Sequence, residues 1–94
     1  MVYIIKYDVF YGDSMMSDEM TAKDYEIKAK SILKSQLKLR GITYAQLAEK
    51  LNAMGVKENE RNLANKISRG SFTAAFFMMC MDAIGANTIS LENT

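Results

Sequence analysis

A chain of 94 residues holds one domain with one modest core and leaves no room for a second. Hydrophobic residues make up 49% and charged residues 24%, which excludes an intrinsically disordered chain. The net charge of +1 is unevenly spread: residues 1–20 carry −3, residues 21–70 set eleven Lys and Arg against five acids for +6, and residues 71–94 carry −2.

Residues 2–11 alternate, with Tyr3, Ile5, Tyr7, Val9 and Tyr11 on one side, the pattern of a strand or extended arm. A lone strand needs a partner. The segment therefore pairs across a dimer, docks as an arm, or precedes a later start at Met15, Met16 or Met20. It has no positively charged lead and no small-residue cleavage site, so no signal peptide is expected, and it is too short to cross a bilayer. Residues 12–20 read as a linker. The expected division is an arm and linker over 1–20 and a folded domain over 21–94.

From Asp24 the period changes to 3.6. Ala29, Ile32, Leu33, Gln36 and Leu37 share one helical face, and Gly41 stops the helix. Lys30, Lys34 and Lys38, four residues apart, read as its solvated side. The second helix carries the strongest local signals. Thr43 and Gln46 have capping-box spacing, and Ile42 and Leu47 stand where a hydrophobic staple needs them. Tyr44, Leu47, Ala48 and Leu51 form its apolar stripe, and Gly55 ends it. A third helix starts after Asn59, a good N-cap, with Glu60 in its first turn, and runs to Arg69 before Gly70. Leu63, Ala64 and Ile67 face inward.

The fourth helix starts at Ser71 or Thr73 and reads AAFFMMCMDAI, apolar almost all round. Phe77, Cys80, Met81 and Ile84 are assigned to the core. That leaves Phe76, Met79 and Ala83 on another face, which needs a second cover. The cover is the N-terminal segment or another copy of the chain, and a homodimer is the expectation carried forward. The closing residues have room for one further short turn.

Two short helices about a glycine-containing turn are the geometry that places the second helix in a DNA major groove. On the third helix Asn62, Asn65, Lys66 and Arg69 fall in one sector opposite the inward residues, with Arg61 at its border. Asn pairs with the N6/N7 edge of adenine, while Arg and Lys suit guanine or phosphate. Two asparagines lower helix propensity, which gives a polar reading face some claim, the alternative being a plain solvated surface with no such role. Against this, Glu58 and Glu60 bring negative charge to the leading edge of the helix, where phosphate is repelled.

The stretch GITYAQLAEKLNAMGV…NLANKISRG, residues 41–70, resembles the Xre/Cro/lambda-repressor-type helix-turn-helix family. The longer span from about Tyr25 to Ile89, with NERNLANKISRGSFTAAFF, is similar to a small bacterial domain family of unknown function related to that fold. The resemblance implies an all-α, compact four- to five-helix lambda-repressor-like domain, here with an extended or β N-terminal arm. It implies that Thr43 and Tyr44 begin the helix that touches the phosphate backbone. It also implies that Arg61, Asn62 and Lys66, with Asn65 beside them, read bases. Arg69 joins them from the same stripe. The chain departs from the family pattern in the insertion-like VKENE and in Ser68, where an acidic residue is common.

No enzyme is expected. The chain has no histidine, no glycine-rich phosphate loop and no Cys/His cluster, and nothing in it signals a cofactor, a metal or a small-molecule substrate. The one cysteine, Cys80, excludes an internal disulfide and fits a buried small hydrophobe in a reducing cytoplasm. The expected function is sequence-specific binding of double-stranded DNA by a transcriptional regulator. The alternative is a protein-interaction module on the same fold that does not bind DNA, using the Phe76 and Met79 face and the N-terminal arm.

Overall fold

The computed structural model describes residues 21–92, so the expected strand at 2–11 and linker at 12–20 lie outside the described residues. The described residues are all-α, with four helices: α1 (Ala22–Arg40), α2 (Tyr44–Ala53), α3 (Glu60–Arg69) and α4 (Ala74–Ile84). Helices α1 and α2 each pack against both α3 and α4.

Every helix begins on a polar cap, because its first N–H groups have no partner inside the helix. Thr21, Thr43, Asn59 and Thr73 each turn a side-chain oxygen to the backbone N–H three residues on. The box at Thr43 is complete: Gln46 N–H donates to Thr43 Oγ1 at 3.1 Å, and Thr43 N–H donates to Gln46 Oε1 at 2.9 Å. A second box, Thr21 with Asp24, starts α1 at Ala22 rather than at the expected Asp24. Hydrogen bonds to the Thr21 N–H and then to its hydroxyl hold the Asp24 carboxyl below its ordinary pKa.

Three helices end alike. The N–H of Ile42, Val56 and Ala86 reaches back to the carbonyl of Leu37, Leu51 and Met81, each at 2.9 Å. This is the long bond of a Schellman motif, and the residue that donates it is apolar each time. Ile42 and Val56 pack against the core and Ala86 is buried in it. Each chain reversal thereby becomes a core contact.

The end of α3 is different. Gly70 has φ +73°, and a Cβ there would stand 2.7 Å from the Glu26 carbonyl oxygen of α1. Beside it, Lys30 Nζ donates to the Ser68 carbonyl at 3.1 Å, satisfying one of the last free carbonyls of α3. Lys30 thus leaves the expected solvated row and ties α1 to α3, while Lys34 and Lys38 stay exposed.

Leu33, Leu47, Leu51, Leu63, Ile67 and Cys80 are fully buried and form the centre of the core. The expected inward faces of α1, α2 and α3 supply five of these six. On α4 the assignment of the two phenylalanines is reversed. Phe76 is only 5% exposed and belongs to the core, whereas Phe77 is half-buried. Phe72 bridges them, 5.5 Å from Phe76 and stacked on Phe77 at 6.2 Å. Phe76 therefore has no free face to offer a second copy. Met79 and Ala83 are half-buried against the same cluster, and Met78 is the outward residue, 66% exposed.

After Gly85 no further helix forms within the described residues; Ala86 and Ile89 return to the core. No helix among the described residues is long and apolar enough to cross a membrane. Burial, helped by Glu58 and opposed by Lys66, pushes the Cys80 thiol up to about 12. At neutral pH Cys80 is thus a small apolar side chain rather than a reactive thiolate.

Candidate nucleic-acid interface

The connection from α2 to α3, residues 54–59, is held from both sides. Asn52, in the last turn of α2, accepts the Glu58 N–H on its Oδ1 at 2.9 Å. Asn59 accepts the Asn62 N–H at 2.8 Å and so caps α3. With Val56 against the core, the insertion-like VKENE is a fixed turn whose residues have separate tasks. Lys57 and Glu60 are its exposed charges.

Helix α3 has two chemically distinct sides. Leu63 and Ile67 are completely buried and Ala64 is half-buried. Arg61, Asn62, Asn65, Lys66 and Arg69 are exposed. The side-chain amides of Asn62 and Asn65 make no hydrogen bond among the described residues. Arg69 Nε makes only a long bond, 3.4 Å, to the Asn65 carbonyl of its own helix. At the start of α2, Thr43 is exposed with its hydroxyl committed to the cap. Tyr44 is half-buried against the core, and that burial raises the pKa of its phenol.

Lys66 is not free. Its Nζ lies 2.5 Å from Glu58 Oε2 and 5.0 Å from the centroid of the Phe76 ring. The Glu58 side chain is only 4% exposed, against 45% for Lys66. Its other oxygen, Oε1, is buried without a hydrogen-bond partner. Glu58 therefore does not present negative charge at the leading edge of α3, as its place beside Glu60 suggests. It turns inward, and Lys66 neutralises it. Sequence spacing gave no sign of this pair, because its members stand eight residues apart across a helix start, outside the local pairing distances.

Between the end of α3 and the start of α4 runs an open cleft lined by Lys66, Arg69, Ser71, Phe72, Thr73 and Phe76. Ser71 and Thr73 were not singled out from the sequence as contact residues. Their hydroxyls, the exposed Arg69 guanidinium and the first N–H groups of α4 are groups that bind phosphate oxygens. Among the described residues no three of Cys, His, Asp or Glu come together to hold a metal ion.

Comparison with known families gives one finding: the family model described as "Domain of unknown function (DUF6471)" matches residues 25–89. The span runs from the second turn of α1 through α4 to Ile89, the extent noted for the longer of the two resemblances; kinship with the Xre/Cro type is not part of the match. Neither the curated proteins nor the solved structures give a match.

Proposed function

The chain belongs to the DUF6471 family, and within it we propose a double-stranded DNA-binding domain that uses α2, the fixed turn and α3 as a helix-turn-helix. One observation carries the reading. The outward side of α3 holds Arg61, Asn62, Asn65 and Arg69 open to solvent, with two amides unpaired, directly opposite the buried Leu63 and Ile67. Asn62 and Asn65 offer the donor–acceptor pair that fits the major-groove edge of adenine, and Arg61 suits guanine or phosphate. Arg69, Ser71, Thr73 and the N-terminus of α4 fit the neighbouring phosphates, and Thr43 with Tyr44 the backbone across the groove.

The proposed activity is binding rather than catalysis, by a transcriptional regulator in a reducing cytoplasm, with DNA as the partner. A homodimer would place two reading helices on half-sites roughly 34 Å apart. Its contact would use Met79 and Ala83 with the exposed Met54 and Met78, since Phe76 is committed to the core.

The test is selection from a pool of random duplexes at low salt, followed by titration of the enriched site. A site with adenine at a fixed position is expected, with affinity falling steeply as salt rises. Asn62→Ala should lose about 1–3 kcal/mol of discrimination at one base pair and little elsewhere. A pool that stays random at low salt overturns the proposal.

A second reading, a protein-interaction module, is favoured by a different surface. Met54, Met78 and the half-buried Phe77, Met79 and Ile89 line an apolar groove along α4. Met54→Lys with Met78→Lys separates the two: the DNA reading expects a single half-site still to be bound through α3 after the dimer contact is lost, whereas the interaction reading expects a protein partner to be lost and no duplex to bind before or after the change.

A further inference from the structure

We infer that Glu58 is a positioning residue that withdraws Lys66 from the nucleic-acid surface, leaving Arg61, Asn62, Asn65 and Arg69 to meet DNA. The positioning half stands on geometry alone, and the DNA half rests on the function proposed above.

Lys66 extends from the exposed side of α3, where its position gives it as good a claim on DNA as its neighbours have. Its ammonium, however, is occupied on two sides, by the Glu58 carboxylate at 2.5 Å and by the face of Phe76 at 5.0 Å. The pair is unequal. Glu58 is nearly enclosed and its Oε1 has no partner, so Lys66 supplies the only countercharge it meets among the described residues. Moving Lys66 to a phosphate would leave a buried carboxylate uncompensated, which costs far more than an exposed ion pair returns. The competition therefore favours Glu58.

The contact also joins three elements. Glu58 comes from the turn, where its N–H is fixed by Asn52 of α2; Lys66 belongs to α3; Phe76 belongs to α4. A point shared by the turn and two helices sets how α3 projects from the domain. The glutamate that looks hostile to DNA in the sequence thus has two effects. It fixes the reading helix, and its own charge is cancelled inside the molecule.

The experiment uses the full chain as Lys66→Met, Glu58→Gln and the double variant, each followed by urea unfolding and by the salt dependence of binding to the selected duplex. Lys66→Met should lower the folding equilibrium constant about tenfold or more. The double variant should recover part of that loss. In DNA binding, folded Lys66→Met should keep the wild-type slope of log K against log salt, because Lys66 neutralises no phosphate. Glu58→Gln frees the ammonium and should steepen the slope by about one phosphate.

A slope that falls by about one in Lys66→Met overturns the inference, as do stability losses that simply add in the double variant. Should Lys66→Met fail to fold, the wild-type protein still decides. The 15N signal of its Lys66 ammonium should stay in place when the selected duplex is added, and a shift contradicts withdrawal. If no variant and no wild-type protein binds any duplex at low salt, the function reading falls and the DNA half with it, while the coupling in urea still decides the positioning half.

Discussion

The start of α3 is held by polar groups, the Asn59 cap and the turn that Asn52 fixes at Glu58, and the Glu58–Lys66 pair clamps that turn along the helix. Its C-terminal end is set by main chain, with Gly70 pressed against the Glu26 carbonyl, and the Lys30 side chain adds one hydrogen bond to the Ser68 carbonyl. The two ends teach different lessons about tolerance. The cap and turn hydrogen bonds are worth about 1 kcal/mol each and can be lost one at a time, the buried Glu58 carboxylate excepted. A close approach of main chain to main chain has no room to yield. The exposed side of α3 depends on both, since its orientation is set at one end and its distance from α1 at the other.

The sharpest way to break this comparison is Gly70→Ala. The added Cβ meets both a left-handed backbone and a carbonyl oxygen at 2.7 Å. A loss of about 3 kcal/mol in urea unfolding is expected. Gly41→Ala is its control: φ there is +65°, but nothing lies within 4 Å, so only the backbone strain of about 1 kcal/mol remains. Equal losses at the two glycines would remove the steric half of the contrast.

Asn59→Ala tests the polar end. Removing the cap should cost about 1 kcal/mol, and hydrogen exchange should quicken in the first turn of α3 while its last turn stays protected. Uniform quickening along the helix would mean that the two ends are not independently secured.

The effect that vanishes at neutral pH lies in the alkaline stability of the region beneath Glu58 and Lys66. Burial first, then Glu58, raises the Cys80 thiol from 9.0 to about 12 in the folded chain, against the opposing pull of Lys66. The folded state therefore keeps a proton that the unfolded chain releases. That contribution is complete below pH 9 and is lost as pH climbs from 9 towards 12. Cys80→Ala should flatten the decline over this window, and parallel curves for the two proteins would show that the thiol takes no part.

Much of this architecture is legible in the residues. Helices α2 and α3 fall where Thr43, Gln46, Asn59 and Gly70 place them, because capping is local chemistry between neighbours in sequence. Helix α4 is present as expected, but its phase differs from the expected one. A helix apolar all round has no polar side to fix its rotation, so Phe76 and Phe77 exchange roles. Lys30 with Ser68, and Glu58 with Lys66, escape sequence reasoning for a different reason. Both contacts join residues whose proximity is created by the tertiary fold, and no spacing rule reports them. For the candidate surface, helical periodicity points to Arg61, Asn62, Asn65 and Arg69; that Lys66 is engaged elsewhere is set by the tertiary fold.

The central claim, that the outward side of α3 enters a DNA groove, is met most directly by following the side-chain amide signals of Asn62 and Asn65 in an NMR titration with the selected duplex. Both amides are predicted to shift, together with the backbone of α3 and the start of α4, while signals on the exposed side of α1 stay in place. Asparagine signals that do not move while the duplex binds elsewhere on the domain would contradict the account.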